Sequence, residues 1–180
     1  MTNERLVVVI GGSRGTGLVI AQRLHGRGVT VRVMARDPTG ARARLGPTVE
    51  IIPGDITQQD TIPHALEGAS HIVFTAGCRS ARPATERRVR ETEYGGVVNT
   101  LVSARQTGFD GRFLYMTASS VSTRSFATWC LNLYKGNTLV WRARAEHEIR
   151  PSGLEYTIIR AGILLNRPAG RTRIREVPSS

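Results

Sequence analysis

The sequence lacks the features that several common kinds of site and location require. It has two cysteines, Cys78 and Cys130, which form no metal-ligand spacing and imply no disulfide framework. No apolar stretch approaches the length that crosses a bilayer, and the N-terminus lacks the layout of a secretory signal peptide. We therefore expect no metal site, no membrane segment and a location in the reducing cytoplasm.

Lysine is almost absent, because Lys135 is the only lysine among the 25 basic residues. The arginines give a net charge of +11, and a strongly basic chain raises the question of nucleic-acid binding. The sequence contains no helix-turn-helix, zinc-finger or aromatic-rich RNA-binding pattern. We therefore expect no nucleic-acid partner, and the arginines suit a solvated surface together with an anionic, phosphate-bearing ligand.

The most informative stretch is a short apolar run that breaks into a glycine-rich turn. Leu6–Ile10 has the composition of a buried strand, residues 11–17 read GGSRGTG, and a helix-spaced segment follows over Thr16–Arg27. Such a turn lets backbone N–H groups approach a pyrophosphate, and the positive end of the helix dipole favours its charge. The strand–turn–helix context predicts a dinucleotide site, the alternative being a tight turn that binds nothing.

Apolar strands alternate with helical segments along the rest of the chain. This alternation predicts an α/β protein with a Rossmann-type, doubly wound parallel sheet, helices on both faces and strand order 3-2-1-4-5-6. Residues 1–165 are expected to form a single dinucleotide-binding domain with an abbreviated C-terminal part, and residues 166–180 a short basic tail. The predicted strands cover residues 6–10, 29–34, 49–53, 71–75, 113–116 and 156–160. A polar helix is expected over residues 61–66, and the arginine-rich stretch 79–90 is expected to be a loop that leads into a longer helix.

Several motifs, in the same order, resemble the atypical, NmrA-like NAD(P)H-binding branch of the short-chain dehydrogenase/reductase superfamily. They are GGSRGTG at 11–17, ARDP at 35–38, GDI at 54–56, TAG at 75–77, TASS at 117–120 and SGLEYTIIRAG at 152–162. The last is similar to SGLDYTIVRPG of that branch, with Ala161 in place of the usual proline.

The resemblance implies which residues hold the cofactor. Asp55 and Ile56 would border the adenine, and Ala76 and Gly77 would pass beside the adenosine ribose. For Asp55, capping of the following helix is an equal alternative. The residues implied to wrap the phosphates are Gly11, Ser13, Arg14, Gly15, Thr16 and Gly17.

The end of the second strand favours NADP(H) over NAD(H). An NAD site usually has a carboxylate there to hold the ribose hydroxyls, whereas this strand ends in Ala35 followed by Arg36. A guanidinium can bind a 2′-phosphate through paired, charge-assisted hydrogen bonds, and Arg14 could approach the same phosphate. Asp37 is the competing candidate for the ribose, although initiation of the Asp-Pro turn is its simpler role.

The catalytic residues are much less clear. The Tyr-x-x-x-Lys pair of conventional members is missing, and Arg142 is the nearest counterpart of a lysine that is frequent in the resembling branch. Thr117, Ser119 and Ser120 lie where the family places its serine, just beyond the predicted fifth strand, and an equal alternative is that they satisfy backbone groups in a turn. Further candidates are the proton donors Tyr94, Tyr115 and Tyr134, although the alternation of Tyr115 along a strand favours a place in the core.

The expected function is therefore an NADPH-dependent oxidoreductase that acts on a small organic substrate. The missing tyrosine–lysine pair keeps open a second hypothesis, in which the protein is a non-catalytic NADP(H) redox sensor or regulatory binding protein. A homodimer formed through the long helices is compatible with the resemblance.

Overall fold

The computed structural model describes residues 5–78, 85–119, 132, 136–162 and 164. Within them, six parallel strands form one sheet in the order β3-β2-β1-β4-β5-β6, which confirms the predicted fold class and strand order. Some of the predictions above concern residues outside the described part of the chain, namely Ser120, Cys130, Tyr134 and residues 166–180.

The first half of the chain forms three strands with their helices. The strands are β1 (Leu6–Ile10), β2 (Thr30–Ala35) and β3 (Glu50–Pro53), and the helices are α1 (Gly15–His25), α2 (Pro38–Leu45) and α3 (Pro63–Leu66), the last preceded by a 3₁₀ turn (Gln59–Thr61). The predicted helix over 61–66 is therefore interrupted, because a proline restricts the residue before it and cannot donate a helical hydrogen bond. Helix α1 ends at His25, two residues before the predicted end, and Gly28 adopts a φ of +78° in the turn that follows.

The second half begins with β4 (His71–Phe74) and a long helix that contains a π-helical turn. This helix consists of α4 (Glu86–Arg90), the π turn (Glu91–Gly95) and α5 (Gly96–Gln106). Strand β5 (Arg112–Ala118), helix α6 (Thr138–Ile149) and edge strand β6 (Glu155–Ala161) complete the fold. Two predictions were wrong here. The loop expected before this helix is already helical from Glu86, and Thr117 lies inside β5 rather than beyond it.

The two faces of the sheet are covered by different helices, as the alternation of β1 requires. Val8 and Ile10 point into a core that includes residues of α3, α5 and α6, and Val7 and Val9 point into a second core with residues of α1 and α2. Because all six strands are parallel, their carboxyl ends lie together at one end of the sheet, which we call the carboxyl edge. The direction of strand order reverses between β1 and β4, which is where ligands bind in open α/β sheets.

Candidate dinucleotide site

The glycine turn after β1 packs directly against the loop after β4. Gly11 has a φ of +87°, and a Cβ at this position would lie 2.6 Å from the backbone nitrogen of Ala76. A Cβ on Gly17 would overlap the Gly11 carbonyl oxygen and the Thr75 hydroxyl. Both glycines are therefore required by close backbone packing, and that packing brings the predicted segments 11–17 and 76–77 together.

The first turn of α1 is available to an anion. Arg14 occupies the N-cap position without a side-chain cap, and the first turn carries no acidic residue. A Cβ on Gly15, whose φ is +57°, would meet nothing within 4 Å, so the outer side of the turn faces open space. Uncapped N–H groups at a helix N-terminus, beside an open surface and a tight glycine cradle, fit a pyrophosphate.

Arg36 extends from the end of β2 and is well exposed. Its side chain is 69% accessible, and its Nη1 lies 3.9 Å from Oδ2 of Asp55. This contact is long, so the guanidinium is weakly held. Asp37 accepts a hydrogen bond of 2.9 Å from the backbone nitrogen of Gly40 and caps α2. Asp37 therefore has the turn role that the sequence favoured over a ribose contact.

Asp55 and Ile56 both have structural partners after β3. Oδ1 of Asp55 accepts hydrogen bonds of 2.9 Å from the backbone nitrogen and the hydroxyl of Thr57, which leaves Oδ2 toward Arg36. Ile56 is only 8% exposed, and its side chain packs on Gly96, where a Cβ would lie 2.6 Å from Cδ1. Their predicted contacts with adenine stay predictions.

Arg142 lies beside Gly77 of the loop after β4. It forms an ion pair that was not predicted from the sequence. Its Nε and Nη2 donate hydrogen bonds of 2.9 and 3.2 Å to the two oxygens of Glu93. A Cβ on Gly77 would lie 3.1 Å from Nη2 of Arg142 and 3.2 Å from Oε1 of Glu93. Burial lowers the pKa of Arg142, but Glu93 more than offsets this and raises it above the ordinary value.

The remaining candidates differ in what they can do. Thr117 is 3% exposed, and its hydroxyl has no hydrogen-bond partner among the described residues. Ser119 follows directly after β5 and is exposed. Tyr115 is 1% exposed, which agrees with its predicted core role, and burial raises its pKa. Burial, and then Glu93, raise the pKa of the Cys78 thiol, which fits a small hydrophobe better than a nucleophile.

A cleft of about 420 Å³ lies between the π turn and α6, away from the predicted cofactor residues. Its aromatic floor is formed by Tyr94 and Trp141, whose ring centroids are 5.9 Å apart. The Tyr94 hydroxyl donates to Glu148 at 3.1 Å. Burial, and then this bond, raise the pKa of Tyr94, so it is already engaged as a donor.

The described residues contain neither a metal-binding cluster nor a membrane-spanning helix. In the part of the chain that the structure describes, no cluster of three or more His, Cys, Asp or Glu side chains could hold a metal ion. None of the described helices has the length and hydropathy of a membrane span.

Comparison with known proteins identifies the family. The model of the NAD(P)H-binding family matches residues 11–179. Sanguinarine reductase of Eschscholzia californica is 25% identical, over 94% of this chain and 73% of its own length. An uncharacterized chloroplastic protein of Arabidopsis thaliana is 30% identical, over 90% of this chain. The chain spans 60% of the length of that second relative.

A solved structure shows the same fold. A protein described as a putative NAD-dependent epimerase/dehydratase from Bacillus halodurans superposes with a TM-score of 0.76 over 92% of this chain and 73% of its own, at 20% identity. The glycine cradle, the uncapped first turn of α1 and the strand order agree with the family match. This chain therefore belongs to the NAD(P)H-binding family, within the NmrA-like, atypical short-chain dehydrogenases/reductases.

Proposed function

We propose that this protein binds NADP(H) in preference to NAD(H) and reduces a small organic substrate. The observation that carries the cofactor preference is Arg36, an exposed and weakly paired guanidinium at the end of β2. NAD sites use a carboxylate at this place, and Asp37, the next residue, has one carboxylate oxygen, Oδ1, bonded to the first turn of α2. A 2′-phosphate would replace the long contact to Asp55 with charge-assisted hydrogen bonds.

The phosphates and the two nucleotide halves would be held by different parts of the edge. Residues 11–17 and the first turn of α1 would hold the pyrophosphate, and Arg14 and Arg36 would hold the adenosine phosphate. Doubly wound sheets carry one mononucleotide on each side of the strand-order reversal. The nicotinamide half therefore belongs over β4 and β5, near Arg142 and near the Thr117 hydroxyl, which has no hydrogen-bond partner among the described residues.

A reduced nicotinamide supplies hydride, and the protein contributes binding, orientation and the exclusion of water. Arg142 suits binding of a ribose or phosphate, because it stays charged and offers only donors. The Thr117 hydroxyl could hydrogen-bond a nicotinamide ribose or a substrate oxygen. The name of the relative sanguinarine reductase supports a reduction among the reactions of this family, although the substrate here need not be similar.

A second function is favoured by the state of the possible proton donors. Among the described residues, Tyr115 is buried and Tyr94 is bonded to Glu148, while Arg142 is a poor acid. A protein that binds NADP(H) without turnover, as a redox sensor, needs no proton donor. We keep this as the alternative, with a homodimer through the long helices and a cytoplasmic location as further proposals. Because one relative is described as chloroplastic, the alternative location is an organelle.

Two measurements test these functions. Calorimetric titration with NADPH and NADH is expected to give a dissociation constant at least tenfold lower for NADPH, and tighter NADH binding would refute the cofactor assignment. A panel of quinones, aldehydes and enones is then assayed for NADPH oxidation by absorbance. Turnover supports the reductase, whereas tight NADPH binding without turnover on any of them favours the sensor.

A further inference from the structure

Glu93 is a buried carboxylate with an unusually complete set of partners. Only 2% of it is exposed, and its oxygens accept hydrogen bonds from Nε and Nη2 of Arg142 and from the backbone nitrogen of Cys78, the last at 2.8 Å. A buried charge is costly unless it is paired and hydrogen-bonded. The three bonds satisfy that requirement and connect α6 to the loop after β4 through one side chain.

The π turn explains how a glutamate comes to point inward from this helix. Val89, Glu93 and Val97 are spaced four residues apart and are all buried, so the glutamate takes a place on the apolar face. A π turn inserts one extra residue per turn, and such turns are frequent at functional sites. The next residue, Tyr94, consequently faces the surface cleft and Trp141, while Glu93 faces the strand ends.

The Glu93–Arg142 pair lies at the half of the edge that the nicotinamide would occupy. A Cβ on Gly77 would lie close to both charged groups, and this glycine belongs to the loop that packs on the glycine turn through Ala76. The pair uses Nε and Nη2 of Arg142, and the third nitrogen, Nη1, lies outside it. The Arg142 side chain is 24% exposed, so the pair leaves part of it accessible.

We propose that Glu93 is a positioning residue for the nicotinamide half of the cofactor. Its carboxylate fixes the Arg142 guanidinium in one orientation through Nε and Nη2, which leaves Nη1 outside the pair, and it holds the Cys78 amide so that residues 76–78 keep their path. The proposal rests on the proposed binding of NADP(H). It assigns no proton transfer to Glu93, which touches no ligand.

The test compares a whole cofactor with its adenosine half. Glu93→Gln keeps the size of the side chain but removes the charge that pairs with Arg142. We expect the dissociation constant of the variant to rise at least tenfold for NADPH and to change less than twofold for 2′,5′-ADP, which lacks the nicotinamide half. Glu93→Asp, which keeps the charge on a shorter side chain, should recover part of the NADPH affinity.

Glu146 provides a matched control. It is 3% exposed and pairs with Arg160 at 2.6 Å. Among the described residues, its carboxylate accepts hydrogen bonds from Arg160 and none from the loop after β4. Glu146→Gln should therefore lower thermal stability about as much as Glu93→Gln while leaving NADPH affinity within twofold of the wild type. Equal weakening of NADPH and 2′,5′-ADP binding by Glu93→Gln would indicate a general structural role and overturn the proposal.

Unchanged NADPH binding in Glu93→Gln would overturn it as well. If Glu93→Gln does not fold, Arg142→Lys gives the same comparison, because it keeps the positive charge but loses the paired hydrogen bonds. Failure of the proposed function has a different signature, since the wild type would then bind neither NADPH nor 2′,5′-ADP.

Discussion

Gly17→Ala should have the opposite effect here from the one that helix propensity predicts. Gly17 lies in the first turns of α1, and alanine is favoured over glycine in a helix interior by about 1 kcal/mol. In this structure, however, an added Cβ would overlap the Gly11 carbonyl oxygen and the Thr75 hydroxyl. Thr75 itself is fixed, because its hydroxyl donates to the Ile10 carbonyl at 3.0 Å.

The size of the effect follows from these two opposed contributions. Inserting a methyl group into a packed site usually costs about 1–3 kcal/mol, and the cost should be at the upper end because the carbonyl belongs to the backbone. After the propensity gain is subtracted, we expect a net loss of about 2 kcal/mol in the free energy of unfolding. In a domain of this size that corresponds to a fall in Tm of about 4–8 °C.

Gly95→Ala is the matched control, because Gly95 also has a helical conformation. A Cβ at Gly95 would meet only the Arg90 carbonyl oxygen, at 3.7 Å, so its propensity gain is unopposed. Urea denaturation of both variants should show Gly17→Ala destabilised and Gly95→Ala unchanged or stabilised by up to about 1 kcal/mol. Calorimetry should also show weaker NADPH binding by Gly17→Ala. A Gly17→Ala variant as stable as the wild type, with the same NADPH affinity, would refute the close-packing argument.

Three further variants test single side chains. Arg36→Ala should raise the dissociation constant of NADPH about tenfold and leave that of NADH unchanged, because charged hydrogen bonds contribute about 1.5–3 kcal/mol. Calorimetric titration measures both constants. An equal loss of affinity for NADPH and NADH would exclude a 2′-phosphate contact. Thr117→Val should maintain or increase the free energy of unfolding, since it removes a buried hydroxyl without a partner in the described residues. The same change should weaken NADPH binding. Unaltered NADPH affinity would show that the hydroxyl does not contact the cofactor. The pKa of Tyr94 is raised above its ordinary 10.0, so its contribution to stability should be complete below pH 10 and be lost as pH rises through the higher folded-state pKa. Tyr94→Phe should remove that part of the alkaline loss in urea denaturation across pH, and an identical pH profile would contradict the raised pKa of Tyr94.

The residues expected on the adenosine side of the site could be named from the sequence because each motif is local. The glycine turn, the arginine after β2 and the Asp-Pro turn at Asp37 are each recognised from a few consecutive residues, and the strand–turn–helix context follows from hydrophobic periodicity. Apolar strands between helices were sufficient for the sheet order, because right-handed crossovers leave few alternatives. The exact ends of α1 and β5 were missed, since tertiary contacts rather than local propensity decide the last residues.

The proposed nicotinamide side could not be named in the same way, because the residues that would form it are far apart in sequence. Glu93 and Arg142 are 49 positions apart, and only folding brings them to Cys78. One signal was present in the sequence: a glutamate at the spacing of Val89 and Val97, on the apolar face of its helix. A charge at such a position requires a buried partner, and the arginines of α6 were the available ones.

The ion pair also restricts how turnover could work in this chain. With its pKa raised above the ordinary arginine value, Arg142 stays protonated and can hold a ligand without exchanging protons. A lysine, which is frequent at this position in the branch that the chain resembles, would be a better acid. The arginine is therefore better suited to binding a ligand than to donating a proton. The proton for a reduction that needs one would then come from a group other than Arg142, or from water. Substrates whose reduction requires hydride alone are therefore the first to test, and activity confined to them would support a site in which Arg142 binds and donates no proton.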